Sequence, residues 1–248
     1  MSPMHPLSEA ELAVAVASHN WLQSLRLRPD LVTPGIRGEA ELAAVEEALF
    51  GPLNLSGAEV LEVGAWNGAF SLAARRRGAA RVVATDHLAW TRPGSEAQAA
   101  TELAARATGL EIETRAVDPR ALTADFGQFH VVVATEYFTQ MFNPIAGLKG
   151  LRAVTSRLLL LETIQGGMDQ ARPAMMARTM PMTYGPAVAG WAPNPEAVKH
   201  MLLELGFDRI LHRDHPTAGR ERGLYAALLP ETPEEALTGF SEPWSKLS

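Results

Sequence analysis

Val60-Leu61-Glu62-Val63-Gly64-Ala65-Trp66-Asn67-Gly68 reads as an apolar strand, a glycine-containing turn and the start of a helix. Gly64 allows the backbone to approach a ligand closely, and Gly68 lets the following helix pack near the strand. Any tight strand-to-helix turn uses glycine, so the turn alone is a weak signal. The next element adds weight. Arg81-Val82-Val83-Ala84-Thr85-Asp86 is a second apolar strand that ends in an acid, 18 residues after Gly68. In an open parallel sheet the ends of adjacent strands meet at one crevice, where an acid can accept both hydroxyls of an adenosine ribose.

Dinucleotide enzymes use the same acid, so Asp86 does not name the ligand. Two features favour S-adenosylmethionine (SAM) over NAD. The turn is E-x-G-x-x-x-G rather than G-x-G-x-x-G, and Glu62 beside it would repel a pyrophosphate. A carboxylate there suits the cationic methionine end of SAM, directly or through water. A third acid, Asp118, follows the third strand and is placed either to meet the adenine amino group or to sit solvated in a loop.

Outward from this stretch, apolar segments alternate with helical ones. Strands are expected at Glu59–Val63, Arg81–Thr85, Glu111–Val117, His130–Ala134 and Arg157–Glu162. Helices are expected at Gly68–Arg77, Ser95–Thr108 and Asn143–Ala153. This alternation predicts a parallel sheet covered on both faces. Asn194-Pro195 opens a last helix that ends at Gly206. Arg209–His212 and Leu224–Leu229 then pair as an edge hairpin. Upstream, Ser8-Glu9-Ala10-Glu11 fits a capping box and predicts a helix from Ser8 to Leu25. Arg28 to Gly35 is a Pro-containing connector, and residues 39–50 form a second helix with Leu42, Val45 and Leu49 on one face. Residues 1–50 are therefore expected to be a helical lid, 51–230 the main domain, and 231–248 a loosely held tail.

The chain has 248 residues, enough for one α/β domain burying roughly 70–75% of its unfolded surface. No apolar run approaches the roughly 18 residues of a membrane span, and the N-terminus does not read as a signal peptide. There is no cysteine, which excludes disulfides and thiolate metal sites and fits a cytoplasmic enzyme. Net charge is −6. Nucleic acid is not the expected partner, because such domains more often show a basic surplus. The tight cluster Arg75-Arg76-Arg77 reads as the solvated end of a helix.

The stretch LEVGAWNGAFSLAARRRGAARVVATDHLAW resembles class I SAM-dependent methyltransferases. It is most similar to the group related to tRNA wobble-uridine 5-oxyacetate and 5-methoxyuridine methyltransferases, which also holds small-molecule methyltransferases. Trp21, Thr33-Pro34-Gly35, Asn143-Pro144, Leu161-Glu162-Thr163 and Trp191-Ala192-Pro193-Asn194 resemble flanking parts of that group. The resemblance implies a Rossmann-like fold: a mostly parallel seven-stranded sheet, helices on both faces and a C-terminal antiparallel hairpin. It implies that Glu62, Gly64, Ala65, Trp66 and Gly68 surround the methionine part of the cofactor. Asp86 would hold the ribose with His87 beside it, Asp118 would meet the adenine, and the Thr135 carbonyl would take the ammonium.

After the fourth strand the family pattern is least followed. Many members carry a G-V-L-Y-H-like segment before N-P, and here Thr139 and Gln140 stand where that Tyr and His would be. No lysine is placed to grip a carboxylated SAM. Glu136, Tyr137 and Gln140 are the candidate catalytic residues, with Glu136 either a proton acceptor or an orienting group. Residues 164–191 hold Met168, Met175, Met176, Met180 and Met182, and flexible thioethers suit an adaptable apolar surface. This segment is read as a lid over an apolar or aromatic small-molecule acceptor, with Arg172 and Arg178 facing an acidic group, or as a homodimer contact. Three functions follow: methyl transfer to O, N or C of a small metabolite, tRNA methylation, or a SAM-binding fold used as a cyclase or binding module. No metal site is expected; His212 and His215 read as solvated turn residues.

Overall fold

The computed structural model describes residues 7–141, 143–180 and 188–247. Its centre is an eight-stranded sheet. Five strands run parallel: β3 (Glu59–Val63), β4 (Arg81–Asp86), β5 (Glu113–Ala116), β6 (Phe129–Ala134) and β7 (Thr155–Ile164). They were expected at these places, and the observed bounds differ by a few residues. On the far side of β7 lie β11 (Gly219–Leu228), β10 (Arg209–His215) and β12 (Ser245–Lys246), each antiparallel to its neighbour. The order across the sheet is β12-β10-β11-β7-β6-β3-β4-β5. The chain thus winds outward from β3 through β4 to β5, then crosses back to β6. The crevice above the ends of β3 and β6 is the switch point, where open α/β sheets bind ligands.

Helices cover both faces. Glu9–Ser18 (α1), Glu39–Phe50 (α2), Ala69–Arg76 (α3) and Ala97–Thr108 (α4) pack on one, through Val45, Leu49, Phe70, Leu72 and Leu103 against Val60, Val82, Val133 and Leu160. Pro144–Val154 (α5) and Pro195–Glu204 (α6) cover the other, through Leu148, Leu151, Val198 and Leu202 against Leu61, Val132, Leu159 and Leu161. Burial on both faces explains why β3, β4, β6 and β7 read as near-continuous apolar runs. Asn143 and Asn194 cap α5 and α6, each accepting a backbone N–H, with proline at the first helical position.

Several expectations are corrected. The first helix ends at Ser18, not Leu25, because His19 turns to an extended backbone and the Leu22 and Gln23 N–H groups point instead at the Asn67 side chain. The connector that follows is a small hairpin, β1 (Arg26–Arg28) and β2 (Leu31–Val32). The tail is not loosely held. Trp244 is buried against the first core with Phe240 edge-on at 5.2 Å, and Lys246 pairs with Leu211 to add the eighth strand. Within the expected lid at 164–191, Met175–Met180 (β8) and Val188–Pro193 (β9) form a separate hairpin, while Met182 falls outside the described residues. Arg75–Arg77 are not merely solvated: Arg75 donates to the Ala79 and Ala80 carbonyls, Arg76 to that of Arg26, and Arg77 pairs with Glu46 and Glu47. Among the described residues, no helix is long and apolar enough to cross a membrane.

Candidate functional site

A cavity of about 390 Å³ opens at the switch point. That volume suits a cofactor-sized ligand. Gly64, Trp66, Asp86, His87, Asp118 and Thr135 line it, together with Glu136 and Tyr137. Asp86 ends β4 and is 4% exposed. Its two oxygens accept the Trp66 N–H at 3.0 Å and the Ala89 N–H at 2.8 Å. Burial pushes its carboxyl above the ordinary range, against the pull of those donors. Each oxygen keeps a lone pair for a further donor.

The turn between β3 and α3 is held by force rather than by glycine alone. Trp66 has φ +52, a conformation that costs a non-glycine residue about 1–3 kcal/mol. Asp86 holds its N–H, and the Trp90 indole and Thr101 hydroxyl both donate to its carbonyl. At Gly68, with φ +80, a Cβ would stand 2.8 Å from the Thr101 methyl. Gly68 therefore serves helix packing and does not line the cavity. Ala65 is likewise fully buried away from it.

Glu62 is also turned away from the cavity, contrary to expectation. It is fully buried beneath the turn, and its Oε2 accepts the Ser71 N–H at 2.7 Å and the Ser71 hydroxyl. Burial pushes its carboxyl up to about 7. Its partner in this structure is the first turn of α3.

Asp118 lines the cavity but its carboxylate is occupied by a two-pronged pair with Arg120, which holds it below the ordinary range. His87 Nε2 lies 3.6 Å away. The Thr135 carbonyl faces the turn: a Cβ on Gly64 would stand 3.6 Å from it.

Glu136 follows with φ +56 and is fixed from several sides. Its carboxylate lies 3.5 Å from Arg37 Nη1 and 3.3 Å from Arg222 Nη2. Its N–H donates to Glu162 Oε2 at 3.0 Å. Glu162, fully buried, is pushed up by burial but pulled below its usual value by Arg222 and Arg37. His215, 3% exposed, packs beside it; its Nδ1 accepts the Thr217 and Ala218 N–H groups, so Nε2 carries the proton and faces Glu162 at 3.8 Å. His212 bonds Gln165. Neither histidine is the solvated residue expected.

Tyr137 presents only its ring. Its hydroxyl donates to the Pro144 carbonyl at 3.0 Å, and burial drives the phenol far above its ordinary value. It is not a base at neutral pH. The side chain of Gln140 lies outside the described residues. Arg172 and Arg178 are exposed, and no described residue of 164–191 lines the cavity. The β8–β9 hairpin reaches the site through the short turn Tyr137–Gln140: a Cβ on Gly190 would stand 2.2 Å from the Thr139 carbonyl.

Sequence reasoning missed the opposite wall, formed by Leu22, Gln23 and Arg37. Gln23 and Asn67 are a reciprocal buried pair. Asn67 Oδ1 accepts the Leu22 and Gln23 N–H groups, and Gln23 Oε1 accepts those of Asn67 and Ala69. Thr33 secures the same loop by donating to the Gln23 carbonyl and accepting the Leu25 N–H. The signal available was the Thr33-Pro34-Gly35 resemblance, whose physical role is to pin this wall.

No protein-family model and no curated protein matches the sequence. Solved structures do match. The N-terminal domain of EvdMO1, crystallised in the presence of S-adenosylhomocysteine and D-fucose, is similar over 90% of this chain and 96% of that domain, with 17% identity and a TM-score of 0.69. The chain has the class I methyltransferase fold. Magnesium protoporphyrin IX methyltransferase from Synechocystis PCC 6803, with bound SAM, matches 76% of this chain and 77% of its own at 17% identity and a TM-score of 0.55. The glycopeptide N-methyltransferase MtfA, complexed with SAM, matches 78% and 94% at 17% identity and a TM-score of 0.52.

Proposed function

We propose that this protein transfers a methyl group from SAM to an O, N or C atom of a small molecule. The observation that carries the reading is the convergence of Gly64, Asp86, Asp118 and the Thr135 carbonyl on one cavity at the switch point. These groups fit the cofactor: an acid for ribose hydroxyls at Asp86, an acceptor for an ammonium at Thr135, and open space beside Gly64. Bound SAM supplies a methyl already activated on a sulfonium, so much of the catalysis lies in holding donor and acceptor in line.

Glu136 is the group of this chain placed to orient the acceptor. Its carboxylate is anchored between two guanidiniums, which suits a fixed hydrogen-bond acceptor for an O–H or N–H better than a proton shuttle. Leu22, Leu88, Tyr137 and Met141 give the cavity an apolar lining that fits the carbon skeleton of a small acceptor. The β8–β9 hairpin, through its contact with Thr139, is placed to close that side. The internal use of Arg75–Arg77 supports a small acceptor over tRNA.

Calorimetric titration with S-adenosylhomocysteine, with NAD as the competing ligand, tests the donor. Micromolar binding of the first and none of the second is expected; the reverse sinks the reading. Formation of S-adenosylhomocysteine from SAM with a panel of hydroxylated and amine-bearing acceptors tests the reaction, and separates a transferase from a binding module. Steeply salt-dependent tRNA binding would turn the choice of acceptor toward RNA.

A further inference from the structure

The backbone ladders of β6 end at Ala134, which is paired with Val63 on one side and Leu161 on the other. Just beyond them a side chain takes over. The Glu136 N–H donates to Glu162 Oε2 at 3.0 Å. Glu162 is fully buried in β7, and its other oxygen is paired with Arg222. The Glu136 carbonyl is held as well, accepting the Thr139 hydroxyl at 2.5 Å and the Thr139 N–H at 3.2 Å. Glu136 is therefore pinned through both of its backbone groups, which sustains its φ of +56.

A peptide group is planar and trans, so its N–H and its carbonyl point in opposite directions. The group joining Thr135 to Glu136 turns its N–H to Glu162. Its carbonyl is thereby sent the other way, toward the β3–α3 turn, where a Cβ on Gly64 would stand 3.6 Å from the oxygen. Thr135 lines the cavity. Among the described residues, no hydrogen-bond donor meets this oxygen. A carbonyl so placed suits an ammonium, which would give it a charge-assisted bond. The reverse orientation would set an N–H against that ammonium and a carbonyl oxygen against the Glu162 carboxylate. An acceptor at Glu162 therefore admits one orientation of the peptide.

We infer that Glu162 is a positioning residue for the cofactor: by accepting the Glu136 N–H it fixes the direction of the Thr135 carbonyl, and with it the grip on the α-ammonium of the methionine portion. This rests on the proposed SAM reading. It gives a task in donor binding to a residue of β7 that does not line the cavity.

The test compares S-adenosylhomocysteine with its deaminated analogue, in which hydrogen replaces the α-amino group. Two double variants, Glu162→Gln/Arg222→Leu and Glu162→Met/Arg222→Leu, both remove the buried ion pair and leave neither partner alone. They differ in whether position 162 can still accept the Glu136 N–H. Calorimetry on the wild type is expected to favour S-adenosylhomocysteine over the analogue by about 10-fold or more, the range for a hydrogen bond to a charged group. The glutamine variant should keep that preference within about 3-fold. The methionine variant should lose most of it, with affinity for the analogue changed less than about 3-fold. Should the methionine variant not fold, Glu162→Leu/Arg222→Met gives the same comparison. Equal preference in the glutamine and methionine variants would overturn the inference, as would equal losses for both ligands, which mark a purely structural role. A wild type that binds both ligands equally would also overturn it. If the wild type binds neither, the SAM reading itself falls.

Discussion

Glu62 provides a quantitative test of how the core beneath the turn is built. It is fully buried, and one oxygen takes both donors of Ser71. Among the described residues, the other oxygen has no hydrogen-bond partner. Burial is the largest influence on its carboxyl and pushes it from 4.5 to about 7, against the pull of Ser71. Folding therefore favours the protonated form. The native state holds this proton between pH 4.5 and 7 while the unfolded state releases it. Stability from this group is fully present below pH 4.5, is lost as pH rises, and stays lost above 7. A difference of about 2.5 units at 1.36 kcal/mol each makes the loss about 3 kcal/mol.

Glu62→Gln mimics the protonated acid and removes the titration. Urea unfolding of both proteins at half-unit steps from pH 5 to 8.5 isolates the effect, because the other titrating groups cancel in the difference. The variant should gain on the wild type steadily from pH 5 to 7, by about 2–3 kcal/mol, and then hold a constant lead. A difference that stays flat within about 0.5 kcal/mol would mean that Glu62 is ionised throughout, and that the burial argument fails.

A methyl group at Gly35 would stand 2.1 Å from the Gln23 carbonyl carbon. Gly35→Ala should therefore lower stability by at least about 1–3 kcal/mol in urea melts, whereas Gly38→Ala, with open space around it, should stay within about 0.5 kcal/mol; similar losses in both would refute the close-packing reading of the loop. Asp86→Ala should weaken S-adenosylhomocysteine binding by about 1.5–3 kcal/mol in calorimetry, and unchanged affinity would remove the ribose assignment. Tyr137→Phe deletes a hydroxyl whose hydrogen-bond partner among the described residues is the Pro144 carbonyl. It should cost about 1 kcal/mol of stability and leave the turnover number within about 2-fold; a drop of tenfold would restore a catalytic role to the phenol.

What could be read from sequence follows from how locally each feature is encoded. The strands β3, β4, β6 and β7 are largely apolar on both faces, so their runs stand out without knowledge of the fold, whereas β5 at the sheet edge is polar and mostly exposed. Asp86 is legible because it ends such a run, and strand ends in a parallel sheet converge on one crevice. Glu62 was misplaced for a reason of direction. Successive side chains on a strand point to opposite faces, and its position on β3 sends it with Val60 toward the α3 face, into reach of Ser71. Sequence proximity to Gly64 said nothing of this. Gln23, Arg37 and Arg222 were invisible because their partners are distant: Asn67 lies 44 residues from Gln23 and Glu162 lies 60 from Arg222. The β8–β9 hairpin is hard to read because its strand Met175–Met180 carries Met176, Ala177 and Arg178 exposed in succession, so no clear alternation marks it.

The long-range groups share one location, and their cost argues for their purpose. Replacing a buried ion pair by apolar residues is often neutral or stabilising, so Glu162, Arg222 and Arg37 are a poor way to build a core. A glutamate at φ +56 adds about 1–3 kcal/mol of strain. The apolar lower half of the same sheet shows that this chain builds an inexpensive core where position is not at stake: Leu158, Leu160, Val131 and Val133 fill it. At the upper ends of β6 and β7 it instead fixes Glu136 through its N–H to Glu162 and its carboxylate to two arginines drawn from the N-terminal segment and β11. Three separate parts of the chain must be in place for that geometry to exist. The arrangement therefore ties the wall containing Arg37, the antiparallel edge and the parallel sheet into one fixed frame at the cavity mouth, which is what the proposed in-line alignment of acceptor and donor requires.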